Sequence, residues 1–203
     1  MMNMCALALV LLMDVSSSVT AARYDLQKQG LLLSFRDPVI QRLMLNQAPG
    51  GMAITIYEWS TYPQQAVPWI HIRSQADLNQ LIEHVEHLDR KQQDGVTAVG
   101  RALLEGINSF DHAPCDATRK IIDISGDGAN NSGKDPDVAK QQAQAQGITI
   151  NGLPILNDAE PDLEAHYREH VITHDGFVMP SEGFEDFARA LRRKLILEIA
   201  TKQ

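Results

Sequence analysis

The stretch Cys5-Ala6-Leu7-Ala8-Leu9-Val10-Leu11-Leu12-Met13-Asp14-Val15-Ser16-Ser17-Ser18 is an apolar run closed by an acid and a cluster of hydroxyls. A run of this length is too short to cross a bilayer as a helix. It could serve as the apolar core of a leader, with Val19-Thr20-Ala21-Ala22 imitating a cleavage site, but no Lys or Arg precedes it. Ended as it is by serines, it reads as a fully buried strand of the kind found inside a parallel sheet.

Working outward, strand-like and helix-like segments alternate. Thr20–Phe35 reads as a helix, with Arg23, Leu26, Gly30 and Leu33 three or four apart, and a short helix follows from Asp37-Pro38 to Asn46. Met52–Trp59 and Gln65–Ile72 read as strands joined by Ser60 to Gln64, a link short enough for an antiparallel hairpin. Asp77–Leu88 and Thr97–Phe110 are amphipathic helices. Arg119–Ser125 is a strand ending in a Gly-rich turn, Asp135–Gln146 a helix, Ile148–Leu156 a strand, Pro161–Arg168 a short helix and Phe177–Met179 a brief last strand. Gly183–Ala200 closes the chain as a helix with Phe184, Phe187, Leu191 and Leu195 inward and Arg189, Arg192, Arg193 and Lys194 as a solvated cationic face. Strands linked by crossover helices predict a doubly wound α/β domain over residues 1–203. Its sheet would be mainly parallel and six-stranded, with one antiparallel edge strand and helices on both faces.

The composition is ordinary for a globular chain of 203 residues, 44% hydrophobic and 22% charged. Eighteen Lys and Arg against twenty-six Asp and Glu leave a net charge of −8. That balance argues against nucleic-acid or anionic-membrane partners, whose phosphates need clustered cations. Two cysteines cannot make a four-cysteine zinc site or a disulfide-dense scaffold. Cys5 and Cys115 precede neighbouring strands at the end far from the Ser cluster, so a disulfide and a pair of buried thiols are both open.

Function in such sheets gathers at the carboxyl ends of the strands. After the first strand come Asp14, Ser16 and Ser18; after the fourth come Asp127-Gly128-Ala129-Asn130-Asn131; Asp94-Gly95-Val96-Thr97 puts a hydroxyl before a helix. Residues two apart in an extended loop point the same way, and adjacent strands lie about 4.8 Å apart, so these side chains can converge. Two carboxylates and three hydroxyls form a hard, all-oxygen set suited to Mg²⁺, or to Mn²⁺ or Ca²⁺, rather than zinc. The two carboxylates roughly neutralise such an ion, and neutral hydroxyls leave it able to take an incoming acid. The alternative is that Ser16 and Ser18 cap the following helix and Asp127 sits in a turn.

The set Asp14-x-Ser16-x-Ser18, Thr97 and Asp127-Gly128 resembles the metal-ion-dependent adhesion site of von Willebrand factor type A (VWA) domains. The order of elements, the hairpin and the terminal helix resemble that family over nearly the whole chain. Ile124-Ser125-Gly126-Asp127-Gly128 with Asn130-Asn131, Ile150-Asn151-Gly152-Leu153 and Phe184-Glu185-Asp186-Phe187-Ala188 resemble a bacterial branch of it. The resemblance implies an ion held by Asp14, Ser16, Ser18, Thr97 and Asp127, with Asp127 commonly acting through water. A protein partner's Asp or Glu would complete the coordination, without catalysis. A periplasmic or secreted protein is expected, its native leader absent or trimmed here as Met1, Met2 and Met4 at the start suggest, with a cytoplasmic location as the alternative. Val96 departs from the family, which places a small residue, usually Gly, before the Thr, so Thr97 could bond the ion directly or through water.

Other constellations are weaker. A phosphoryl-transfer enzyme using Asp14 as nucleophile would need an acid where Ser16 stands. No Gly-x-x-x-x-Gly-Lys-Ser/Thr or Gly-x-Ser-x-Gly string occurs. His166-Tyr167-Arg168-Glu169-His170 matches a zinc-peptidase string but lies in a short segment. His71, His112 and His174 have no evident partner. Glu58 and Trp59 end the second strand and are expected on the ion's rim, although Trp59 packed in the core is the competing reading. Asn130, Asn131 and Asn157 are expected on rim loops. A metal-dependent hydrolase using the same acids, and an intracellular assembly factor with a structural ion, remain alternatives to the binding module.

Overall fold

The computed structural model describes residues 3–91 and 95–200. The apolar run forms β1 (Met4–Asp14), buried at every position after its first. β2 (Met52–Trp59) and β4 (Asp116–Gly126) pair with it in parallel on either side, β5 (Ile148–Pro154) extends β4 in parallel, and β3 (Gln64–Ile72) returns antiparallel along β2. The order is therefore β3-β2-β1-β4-β5, with β1 in the middle.

The two-residue period of β1 divides the core. Leu7, Leu9, Leu11 and Met13 pack beneath α1 (Ala21–Arg36), α2 (Pro38–Leu45), α3 (Gln75–Glu86) and α7 (Phe187–Ala200). Ala8, Val10 and Leu12 face α4 (Val99–Ser109), α5 (Pro136–Ala145) and α6 (Leu163–His166). Short polar side chains set several helix starts: Thr20 caps α1, Asp37 caps α2 ahead of Pro38, and Asp135 caps α5 ahead of Pro136.

The structure corrects several expectations. The sheet has five strands among the described residues, not six. Residues 177–181 do run parallel to β5, giving bridges Gly152↔Val178 and Ile155↔Ser181 and the bonds Met179 N–H to Gly152 O (2.9 Å) and Ser181 N–H to Pro154 O (3.0 Å). Pro154 has no N–H to donate back, so the ladder breaks at its centre. The expected Pro161–Arg168 helix shrinks to α6 and a wide turn over Tyr167–Val171. The last helix begins at Phe187, after a tight turn at Phe184–Asp186. His71 Nε2 lies 2.7 Å from Gly50 O, and His174 Nδ1 lies 3.0 Å from Gln144 Nε2, so both have partners.

Lys194 is the largest departure, for it belongs to the core rather than to a solvated face. It is 0% exposed, with Nζ 2.7 Å from Asp123 Oδ1 and 2.6 Å from Glu198 Oε1. Asn151 Nδ2 donates to the same Glu198 oxygen at 2.8 Å. Ala190, Leu191, Lys194, Leu195 and Glu198 share the buried stripe of α7, so the ionic cluster pins that helix to β4 and β5. Burial, with Asp123 beside it, pushes the Glu198 carboxyl up to about 8, against the opposing pull of Lys194.

Cys5 and Cys115 are joined, with their α-carbons 5.8 Å apart and 110 residues between them in sequence. The bond ties the start of β1 to the chain entering β4. Two outcomes follow. Replacing both cysteines by Ser lowers stability by about 2–4 kcal/mol in urea unfolding, because a long loop of the unfolded chain is released. The proton that folded Glu198 keeps between its unfolded value and about 8 makes stability fall as pH rises through that window. In melts from pH 5 to 8, Glu198→Gln therefore declines less steeply than wild type.

Candidate metal centre

The parallel pairing of β1 with β4 sets Met13 beside Ser125, so Asp14 and Asp127 leave the sheet on adjacent strands at one edge. Asp14 is fully buried, and its Oδ1 accepts the Ser16 N–H at 2.7 Å. Its Oδ2 receives the Asp127 N–H at 3.4 Å. Ser16 and Ser18 point the same way, their hydroxyl oxygens 3.2 Å apart, and Ser18 Oγ donates to Asp127 Oδ1 at 2.5 Å. The first and third loops thus meet through side chains 109 residues apart. The capping alternative for Ser16 and Ser18 fails locally, since Thr20 caps α1.

Thr97 joins from the second loop. It precedes α4, which starts at Val99 with Ala98 as a cap that makes no side-chain bond. Its N–H donates to Asn131 Oδ1 at 2.9 Å and its carbonyl accepts the Asn131 N–H at 2.9 Å, so Asn131 clamps the second loop to the third. Gly128 lies close enough that an added Cβ would stand 3.5 Å from Thr97 Oγ1. Val96 is 41% exposed, which shows how the loop accepts a larger residue there: the side chain turns outward. Asp94 lies outside the described residues.

Backbone anchors make the arrangement firm. Gln27, buried in α1, donates to Asp14 O at 3.0 Å, and Arg90 Nη2 donates to Val15 O and Ser16 O at 3.1 and 3.2 Å. Asn157 Nδ2 donates to Asp127 O at 2.7 Å, and Asn130 Oδ1 accepts the Gly100 N–H at 3.2 Å. The asparagines expected on the rim therefore brace the loops, although Asn131 and Asn157 also line the pocket. Gly126 has to be small: a Cβ there would come within 2.9 Å of both Asp14 Oδ2 and Tyr167 Oη.

Glu58 and Trp59, expected on the rim, are buried at 2% and 0% exposure. The central strands β1 and β2 end level, with Asp14 paired to Trp59; Glu58 faces α1, while Trp59 packs in the opposite layer with Val99 and Tyr167, the core position of its competing reading. Tyr24 Oη donates to Glu58 Oε1 at 2.6 Å, and burial raises the Glu58 carboxyl despite that bond. Of the anchors, Gln27 and Arg90 carried no sequence signal, since their partners are backbone carbonyls distant in the chain.

Ser17, Ser18, Arg23, Thr97, Asp127 and Asn157 are among the residues lining an open polar pocket of about 590 Å³ over the cluster. Among the described residues no three His, Cys, Asp or Glu side chains group as a metal site, so an ion here depends on the hydroxyls. The donor set passes that test: two carboxylates and three hydroxyls are hard oxygen ligands. Asp14, Ser16, Ser18, Thr97 and Asp127 are the residues that could hold a divalent cation. The His166–His170 string forms no comparable cluster. Its rings lie 5.2 Å apart, and His170 Nδ1 sits 2.8 Å from Asp137.

A family model described as protein of unknown function (DUF1194) matches residues 4–203. No curated protein matches the sequence. Among solved structures, mussel byssus proximal thread matrix protein 1, described with a zinc-occupied MIDAS motif, is 16% identical with a TM-score of 0.68, over 96% of this chain and 46% of that one. A von Willebrand factor type A protein from Catenulispora acidiphila is 17% identical with a TM-score of 0.66, over 97% of this chain and 43% of that one. BatB from Bacteroides thetaiotaomicron is 14% identical with a TM-score of 0.60, over 97% of this chain and all of that one. The chain spans about half the length of the first two. The fold is that of VWA domains.

Burial pushes the Asp14 carboxyl up to about 7, opposed by its bonds from Ser16 and reinforced by the charge of Asp127. Below that pH a proton competes with any cation at this site. Mn²⁺ affinity measured at pH 6 is expected to be about tenfold weaker than at pH 8, with proton uptake into the buffer on binding at pH 6.

Proposed function

We propose a function for this chain, which belongs to the DUF1194 family: residues 1–203 act as one VWA-type module that binds a protein partner through a divalent cation. The ion is Mg²⁺, or Mn²⁺ or Ca²⁺, held by Asp14, Ser16, Ser18, Thr97 and Asp127. An Asp or Glu of the partner completes its coordination, and no substrate is turned over. The observation that carries this reading is the 2.5 Å bond between Ser18 of the first loop and Asp127 of the third, at the floor of a polar pocket. It gathers hard oxygen donors where an ion can keep an outward position for a ligand.

The charge balance fits binding. Two carboxylates offset a divalent ion, and the hydroxyls add no negative charge, so the ion retains affinity for an acid. The mussel protein of the same fold, described with zinc in a MIDAS motif, supports a divalent ion at this place. A protein of net charge −8 does not attract acidic partners as a whole, which leaves recruitment to the local cation. The Cys5–Cys115 bond favours an oxidising compartment, periplasmic or extracellular. Among the described residues no helix is long and apolar enough to cross a membrane.

Asp158 and Glu160 on the pocket wall favour a second reading, in which one of them serves as base for hydrolysis at the ion. EDTA-sensitive turnover of phosphoesters or peptides would select it over the binding module.

Calorimetric titration of Mg²⁺ into wild type is expected to give saturable heat, and into Asp14→Ala none. Equal heats from the two proteins would end the proposal. In a crosslinking pull-down, the partner is retained by immobilised wild type in Mg²⁺ and lost in EDTA, while Asp14→Ala retains nothing in either buffer.

A further inference from the structure

We propose that Arg23 is the second half of the acid-recognising site: the partner carboxylate that reaches the ion places its other oxygen on the Arg23 guanidinium. The inference rests on the metal-dependent reading above and extends it to a residue outside the ligand set.

Arg23 lies in the first turn of α1, and its side chain is 42% exposed. Its Nη1 donates to Ser18 O at 2.7 Å and lies 3.3 Å from Asp127 Oδ2. The guanidinium carbon sits 4.9 Å from the centre of the Phe184 ring, a cation–π contact from the turn that leads into α7. Bonds and stacking thus hold the group on the wall of the pocket lined by Ser18, Thr97 and Asp127. Both bonds are made by one nitrogen, and a guanidinium carries five N–H donors in a planar fork that matches a carboxylate.

The electrostatics agree. A divalent ion offset by Asp14 and Asp127 leaves Arg23 as a net positive charge beside it. The first turn of α1 contains no acid, so the helix amino terminus adds positive potential on the same side. Asp158 and Glu160 line the pocket as well, and they would turn an incoming acid away from themselves and toward Arg23. A cation in the first turn also opposes the helix dipole, a cost that a structural brace could avoid with a neutral donor.

The test uses the full chain with Arg23→Gln and Arg23→Lys, each first matched to wild type in thermal melting. The probes are Mg²⁺ alone and, in saturating Mg²⁺, the blocked peptide Gly-Gly-Asp-Gly-Gly and its Asn twin, followed by NMR titration. Wild type is expected to bind the Asp peptide in Mg²⁺, and to bind it neither in EDTA nor as the Asn twin. Arg23→Gln should bind Mg²⁺ as tightly as wild type or more tightly, yet bind the Asp peptide about tenfold more weakly or worse. Arg23→Lys, which keeps the charge and loses the fork, should fall between. Unchanged peptide affinity in Arg23→Gln overturns the role of Arg23 and leaves the metal reading standing. A loss of Mg²⁺ affinity in Arg23→Gln makes Arg23 a brace of Asp127 and also overturns it. Wild type that binds Mg²⁺ but does not distinguish the two peptides overturns both this inference and the partner-acid reading.

Discussion

Two carboxylates held on neighbouring strands constrain the rest of this molecule. Asp14 and Asp127 leave β1 and β4 at one level, one wholly buried and the other nearly so, where water cannot screen their repulsion. Each neighbouring feature lowers that cost in its own way. Ser16 and Asp127 offer N–H groups to Asp14, Ser18 donates to Asp127, and Arg23 stands at the outer oxygen. Paired, desolvated carboxylates of this kind lower the stability of a fold and gather at functional sites.

The scaffold explains how that cost is tolerated. β1 is buried on both faces, so the strand carrying Asp14 cannot shift register without moving every side chain into the opposite layer. Gln27 from α1 and Arg90 from the loop after α3 hold the carbonyls of residues 14 to 16, and Asn131 and Asn157 hold the second and third loops. On the far side, the buried Lys194 binds Asp123 on β4 and Glu198 on its own helix. A buried ionic cluster of this kind adds little net stability compared with an apolar one, but it tolerates few alternative positions for α7. The turn before α7 supplies Phe184 beneath Arg23, so the last helix and this cation beside the site are packed against each other.

Much of this was legible in the chain. The apolar run ending in Asp14, the hairpin link and the crossover helices led to a mainly parallel sheet with one antiparallel edge strand, and hydroxyls spaced two apart after an acid led to the oxygen cluster. These signals are local, because period and turn chemistry are properties of a few consecutive residues. The misreadings share a cause. Lys194 reads as solvated because three arginines precede it within five residues, yet its helical phase follows Leu191 and Leu195 into the core. Glu58 and Trp59 end a strand, which suggests a rim, but Glu58 lies under Tyr24 of α1 and Trp59 packs in the opposite layer with Val99 and Tyr167. The sixth strand fails at Pro154, whose missing N–H interrupts the ladder although the apolar pattern around it continues.

The amino-acid sequence by itself determined the α/β class, the central strand and the five oxygen-bearing side chains, since each follows from residue type and short-range spacing. Tertiary structure alone decided the burial of Lys194 and Glu58, the choice of bonded cysteines over free thiols, and the bracing of the loops by Gln27, Arg90 and Asn157. It also brought Arg23 to Asp127 across 104 residues. The physical reason is that desolvation and charge pairing depend on which distant surfaces come to cover a group, and a linear pattern does not encode that geometry residue by residue.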